Sequence, residues 1–113
     1  MALTFTKVSD ALGVHGTVRE TFYDVTMDSS YPTGGEAISP REVGLGTVIH
    51  GANVIGQRRT TGAPTTSYFA QWDHIAGKLQ VFVTGTSADT VFNEVANATS
   101  LATVIFRIRF VGA

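Results

Sequence analysis

The chain has 113 residues, a net charge of −1 and no cysteine, and 43% of its residues are hydrophobic. That is enough for one domain, residues 1–113, with its own core, and it excludes a disulfide framework. Charge balance argues against nucleic acid or an anionic membrane as a partner held by a general positive field, and no apolar run approaches the roughly 20 residues of a membrane helix.

The opening segment, MALTFTKVSD, lacks the basic region and long apolar core of a signal peptide, so export is not expected. Residues 15–28, HGTVRETFYDVTMD, read as a long Thr- and Val-rich strand. Residues 29–46, SSYPTGGEAISPREVGLG, read as an ordered connection rather than a floppy one. Asp28-Ser29-Ser30 is set to close a side-chain-to-backbone turn. Pro32 suits the second position of a turn from Tyr31 to Gly34. Ser39, Pro40 and Glu42 then form an N-cap, first helical residue and capping box, with Ile38 and Val43 as a hydrophobic staple. Gly44 or Gly46 ends this helical turn.

Residues 46–57 predict a further strand, bent at Gly51. Residues 56–67, GQRRTTGAPTTS, predict an exposed loop or hairpin tip carrying Arg58 and Arg59. A hairpin follows, with arms Tyr68–Ile75 and Lys78–Thr84 and a tight turn at Ala76-Gly77. A short strand is expected around Val91 to Val95. The last strand, ATVIFRIRFVGA, alternates strictly. Val104, Phe106, Ile108 and Phe110 face a core, while Ile105, Arg107, Arg109 and Val111 face the other way. No segment holds a 3.6-residue period. The expected fold is therefore all-β, a jelly-roll-like sandwich or small barrel with one or two short helical turns.

Catalytic and metal chemistry find little support. His15, His50 and His74 have no ligand at metal spacing except Asp73 beside His74, and adjacent strand residues point to opposite faces. No G-x-S-x-G elbow, P-loop or dinucleotide fingerprint is present. We expect no enzyme activity, no metal and no cofactor. The Asn97-Ala98-Thr99 sequon is attributed to chance, given no export signal. Charged residues make up 15% of the chain, against about 25% in a typical soluble domain. That suits either a plain Thr- and Gly-rich β protein or a surface that largely faces other protein. The arginines 58, 59, 107 and 109 read as solvated side chains or as contacts to an acidic partner. Tyr31 and Trp72 read as core or interface aromatics.

One stretch carries a resemblance. VTMDSSYPTGGEAISPREVGLG, residues 25–46, resembles small structural proteins of tailed bacteriophages, of the capsid decoration or cement type. The match rests on Asp28, Ser29, Ser30, Tyr31, Pro32, Thr33, Gly34, Gly35, Glu36, Pro40, Gly44 and Leu45; Ile38, Arg41 and Val43 depart from it. The resemblance implies a non-enzymatic protein that binds the major capsid protein on the outer surface of the head, stabilises the shell and forms a homotrimer. Neck, tail or head-fibre components belong to the same class. In a different class stands a small ligand- or sugar-binding β domain, its pocket lined by Trp72, Tyr68 and Asp73.

On the first reading, the loop presents Tyr31, Pro32 and Arg41 at a subunit boundary. Glu36 or Glu42 would pair there with Arg107 or Arg109 of the next subunit, and Arg58 and Arg59 would meet acidic capsid surface. The competing reading makes residues 29–46 a crossover that covers one end of a sandwich.

Overall fold

In the computed structural model, residues 3–8, 13–15, 18–59, 68–84 and 92–113 are described. Among them run β1 (Thr4–Lys7), β2 (Gly13–His15), β3 (Val18–Thr26), β4 (Glu36–Ala37), β5 (Ile49–Arg59), β6 (Tyr68–Asp73), β7 (Lys78–Thr84), β8 (Phe92–Glu94) and β9 (Val104–Gly112). The helical content is a 3-10 turn at Pro40–Val43. One sheet has the order β1-β3-β9-β5, with β2 also on β3; the other has the order β4-β7-β6, with β8 also on β7. Every pairing is antiparallel. The two sheets do not close on each other, so the fold is an all-β sandwich and not a barrel.

The alternation of β9 organises the core. Val104, Phe106, Ile108 and Phe110 are all buried, with Val25 opposite Phe106 on β3 and Leu79 and Val81 coming from the second sheet. Arg107 lies on the outer face, paired across the sheet with Asp24. Burying one face of each sheet against the other is what a period-2 sequence requires. β5 departs from regular pairing between Ile49 and Gly51 and again between Val54 and Gly56. The first irregularity lies at the expected bend. The second leaves Ile55 as an extra residue, 55% exposed.

Several boundaries differ from expectation. The strand predicted over residues 15–28 begins at Val18, and His15 belongs to β2, which folds back so that His15 faces Val18. Arg58 and Arg59 are not in a loop: their main chain continues β5 opposite Ile105 and Val104. Side-chain–rich alternation ends at Gln57, but β9 offers a partner ladder that extends the strand beyond it. Residues 60–67, the rest of that predicted loop, lie outside the described residues. The 68–84 hairpin forms with a wider turn, its arms stopping at Asp73 and resuming at Lys78. Asp73 Oδ1 accepts from the backbone N–H of Ile75 and Ala76, both at 3.1 Å, which defines that turn.

The long connection is ordered throughout. Ser30 N–H donates to Asp28 Oδ1 at 3.0 Å, the expected turn at the strand end. The proline turn falls one residue later than predicted, with Gly35 N–H donating to Pro32 O at 3.0 Å. Ser39 N–H and Oγ–H both donate to Glu42 Oε1 at 3.0 Å, so Glu42 reaches back to its cap. Gly44 ends the turn in the left-handed conformation, φ 77°. Thr21 Oγ1 donates to Val43 O at 2.7 Å, fastening the turn to β3.

Two adjacent glycines separate backbone strain from steric contact. Gly34 (φ +95°) and Gly35 (φ +111°) both occupy space that L residues avoid. A Cβ at Gly34 meets nothing, whereas one at Gly35 falls 2.8 Å from Leu79 O. Gly34→Ala is expected to cost about 1–2 kcal/mol from conformation alone. Gly35→Ala is expected to cost clearly more, because β7 itself must move. Urea unfolding of the two variants checks this, and equal costs would contradict the close approach of residue 35 to β7.

Candidate functional site

The family-like run is built into the second sheet. In an antiparallel ladder both backbone groups of a residue point to the same side. Val81 turns its own away from β6, and its carbonyl accepts from Val95 N–H; at the start of β7, Gly77 O accepts from Ile38 N–H while Gly77 N–H donates back to Asp73 O. On that side β4 covers one end of β7 and β8 the other. Between them Val81 N–H has no strand partner, and the hydroxyl of Tyr31 accepts from it at 3.1 Å. The same hydroxyl donates to Glu94 Oε2 at 2.8 Å, and Gly34 N–H donates to that oxygen at 3.0 Å. Tyr31 thus fills a break in the sheet edge and is 0% exposed.

The main chain around Tyr31 is held as firmly. Its N–H donates to Thr99 O at 2.9 Å and its carbonyl accepts from Ala98 N–H at 2.7 Å. Ala98 sits at φ 66°, left-handed for an alanine. Thr33 N–H donates to Asn97 Oδ1 at 3.2 Å, and Leu101 N–H donates to Asp28 O at 2.9 Å. Burial pushes the Tyr31 phenol well above its usual range; the bond from Val81 opposes this and Glu94 reinforces it.

Asp28 and Glu36, at the two ends of the run, are both buried. Burial, then the charge of Asp28 and a hydrogen bond between the two side chains, pushes the Glu36 carboxyl up to about 7. Away from water and beside another carboxyl, a carboxyl keeps its proton to higher pH.

The expected interface residues therefore divide. Tyr31 and Glu36 are buried, Tyr31 completely. Pro32, Arg41 and Glu42 are exposed. Arg107 is already engaged within its own chain, Nε and Nη2 bonding Asp24 Oδ1 and Oδ2 at 2.7 and 3.0 Å. Arg109 Nη2 bonds Glu20 Oε2 at 2.7 Å. Those acids lie on β3, so neither arginine needs Glu36 or Glu42 of another subunit. The side chains of Arg58 and Arg59 lie outside the described residues.

Two surfaces stand out that sequence reasoning did not assemble. The Ile38–Gly77 bond and the Ala37–Lys78 pairing set the start of the 37–42 segment beside the β6–β7 turn. Ala37, Ser39, Arg41 and Glu42 are exposed, and Ile75 is 87% exposed. Along the side of the sandwich, a groove of about 460 Å³ opens between β5 and β6. Tyr68 and Trp72 line it; Asp73, expected beside them, does not, being committed to its turn. Among the described residues no three His, Asp or Glu side chains gather in a way that would hold a metal.

Comparison of the chain with protein-family models, with curated proteins and with solved structures found no match in any of the three.

Proposed function

We propose that the chain is a non-enzymatic structural protein of a tailed-bacteriophage virion, a decoration protein that binds the major capsid protein on the outer surface of the head and stabilises the shell. One observation carries the reading. The run that resembles that family, residues 28–36, is wired into the sandwich by Tyr31 and Glu94 and leads directly into the exposed 37–42 segment beside Ile75. A contact surface fixed in advance loses little ordering entropy on binding. Exposed Ile75 and exposed Arg41 supply an apolar and a planar-charged group of the kinds that protein interfaces favour. The loop thus closes a gap in a sheet edge with its interior residues and offers its exposed ones to a partner.

On the shell the chain forms a homotrimer, which requires one patch of each subunit to meet a different patch of the next. A neck, tail or head-fibre component would use the same surface and differ only in where it sits.

Purified protein added to heads that lack it tests this. Wild type is expected to bind to saturation. Ile75→Asp with Arg41→Glu is expected to weaken binding by about tenfold or more, roughly 1.4 kcal/mol. Because both side chains are exposed, the melting temperature should barely change. Absence of wild-type binding would defeat the proposal; undiminished binding by the double variant would move the contact to another face.

A further inference from the structure

We propose that the outward face of the β1-β3-β9-β5 sheet binds the same face of a second copy of this chain, forming a two-fold dimer in which the acids of β3 in each copy lie over the arginines of β9 in the other. The inference does not rest on the proposed place in a virion, and the face shares no residue with the 37–42 segment or Ile75. A two-fold contact cannot lie within a threefold ring, so where trimers form it joins one trimer to the next.

The charge pattern of the face fits its own copy. Residues directly opposite in a ladder share a face, so Arg107 and Arg109 on β9 look outward with Asp24 and Phe22 on β3. Glu20, two residues before Phe22, is on the same face. Arg107 pairs with Asp24 and Arg109 with Glu20 within the chain, and none of the four is buried. A column of acids therefore runs beside a column of arginines. A two-fold axis along the strands, between β3 and β9, sets each column over the opposite one of the second copy. It also keeps the strands of the two stacked sheets aligned, the arrangement that sheet-on-sheet packing favours. Asp24 takes two of the five N–H groups of Arg107, and the carboxylate of the second copy's Asp24 takes from the rest.

Apolar side chains flank the charges. Phe22, Ile105 and Val111 are half-buried, and Ile55, at the bulge in β5, is 55% exposed. A depression of about 340 Å³ lies among Asp24, Ile55, Gly56, Gln57, Ile105 and Arg107, room for a side chain of the second copy. Arginine together with apolar contact is the mixture that protein interfaces enrich. Strands about 4.8 Å apart, rising about 3.3 Å per residue, give this four-strand path an outer face of roughly 500–600 Å² in each copy. A pair of copies then hides roughly 1,000 Å² or more, the lower bound for a specific contact. The dimer is expected to be weak, with a dissociation constant between about 1 μM and about 1 mM.

Sedimentation equilibrium of the full chain, from about 10 μM to about 1 mM, is expected to show a monomer–dimer equilibrium. The double variant Asp24→Arg with Arg107→Asp keeps an ion pair within the chain and keeps the face complementary to its own copy. It is expected to dimerise with itself but not with wild type, because a mixed pair brings arginine over arginine and aspartate over aspartate. Native mass spectrometry of a mixture with isotope-labelled wild type reads this, the mixed dimer being expected at less than about a tenth of its statistical share. Ile55→Asp changes one exposed side chain and should leave the fold intact. It is expected to weaken the dimer by about tenfold or more, a readout that stands even if the swapped variant folds poorly. A wild-type chain with no dimer anywhere in the series, mixed dimers at their statistical share, or an Ile55→Asp dimer as tight as wild type would each overturn the proposal.

Discussion

Tyr31→Ala is expected to be the most damaging single substitution in the connection between β3 and β5. It removes a fully buried aromatic ring, a change that costs about 3–5 kcal/mol in a packed core. It also strips the acceptor from Val81 N–H and a donor from Glu94. A domain of this kind holds about 5–15 kcal/mol in total, so the variant keeps little margin. Tyr31→Phe separates the two contributions. It keeps the ring, leaves a strand N–H unsatisfied inside the protein, and should cost about 2–3 kcal/mol. Glu94→Gln retains an acceptor oxygen and should cost less than either. Urea unfolding monitored by Trp72 fluorescence checks the order, with the midpoint moving and the slope constant. A Tyr31→Phe variant as stable as wild type would show that the hydroxyl is not what closes the gap between β4 and β8.

Stability is expected to fall as pH rises from about 4.5 to about 7. The Glu36 carboxyl is at about 7 in the folded protein against 4.5 as an ordinary side chain. Its folded value is raised, so the native state holds the proton more tightly than the unfolded chain. The contribution is complete below about 4.5, declines through the interval and is gone above about 7. A displacement of this size corresponds to at most about 3 kcal/mol. Glu36→Gln keeps a neutral group able to donate to Asp28 and removes the titration. Its stability curve should be flatter across that window and should lie above wild type at pH 8. The difference between the two proteins isolates this pair from the other carboxylates. Parallel curves would mean that the buried surroundings of Glu36 do not raise its carboxyl.

The two effects concern the same run of residues, and they show why sequence reading succeeded with its turns and failed with its side chains. Ser30 on Asp28, the glycines of the 32–35 turn, and Glu42 on Ser39 are local devices whose donors and acceptors lie within a few residues. Spacing alone finds those. The direction of Tyr31 is decided by Val81 and Glu94, which the chain reaches only after three further strands or more, so a proline-glycine turn reads as a platform for presenting it. β9 was readable for the opposite reason: alternation of large apolar residues determines which face is buried, whatever the partner strands are. The arginines on its other face read from sequence as solvated or as contacts to an acidic partner. Their partners Asp24 and Glu20 become visible only once β3 is known to pair with β9, with Asp24 opposite Arg107. The end of β5 at Arg59 was missed because the pairing that extends it comes from residues 104–107.

On the proposed reading the 37–42 segment and Ile75 seat the protein on its partner, and the start of that segment is held by the Ile38–Gly77 bond while Tyr31 and Glu94 hold the run before it.

Cryo-microscopy of intact particles carrying a labelled copy of this chain tests the proposed place on the shell most directly. Density for the sandwich is expected on the outside of the head, in clusters of three, with the 37–42 segment and Ile75 against the major capsid protein. Label confined to the neck, the tail or the interior, or particles that lack the chain altogether, would contradict it.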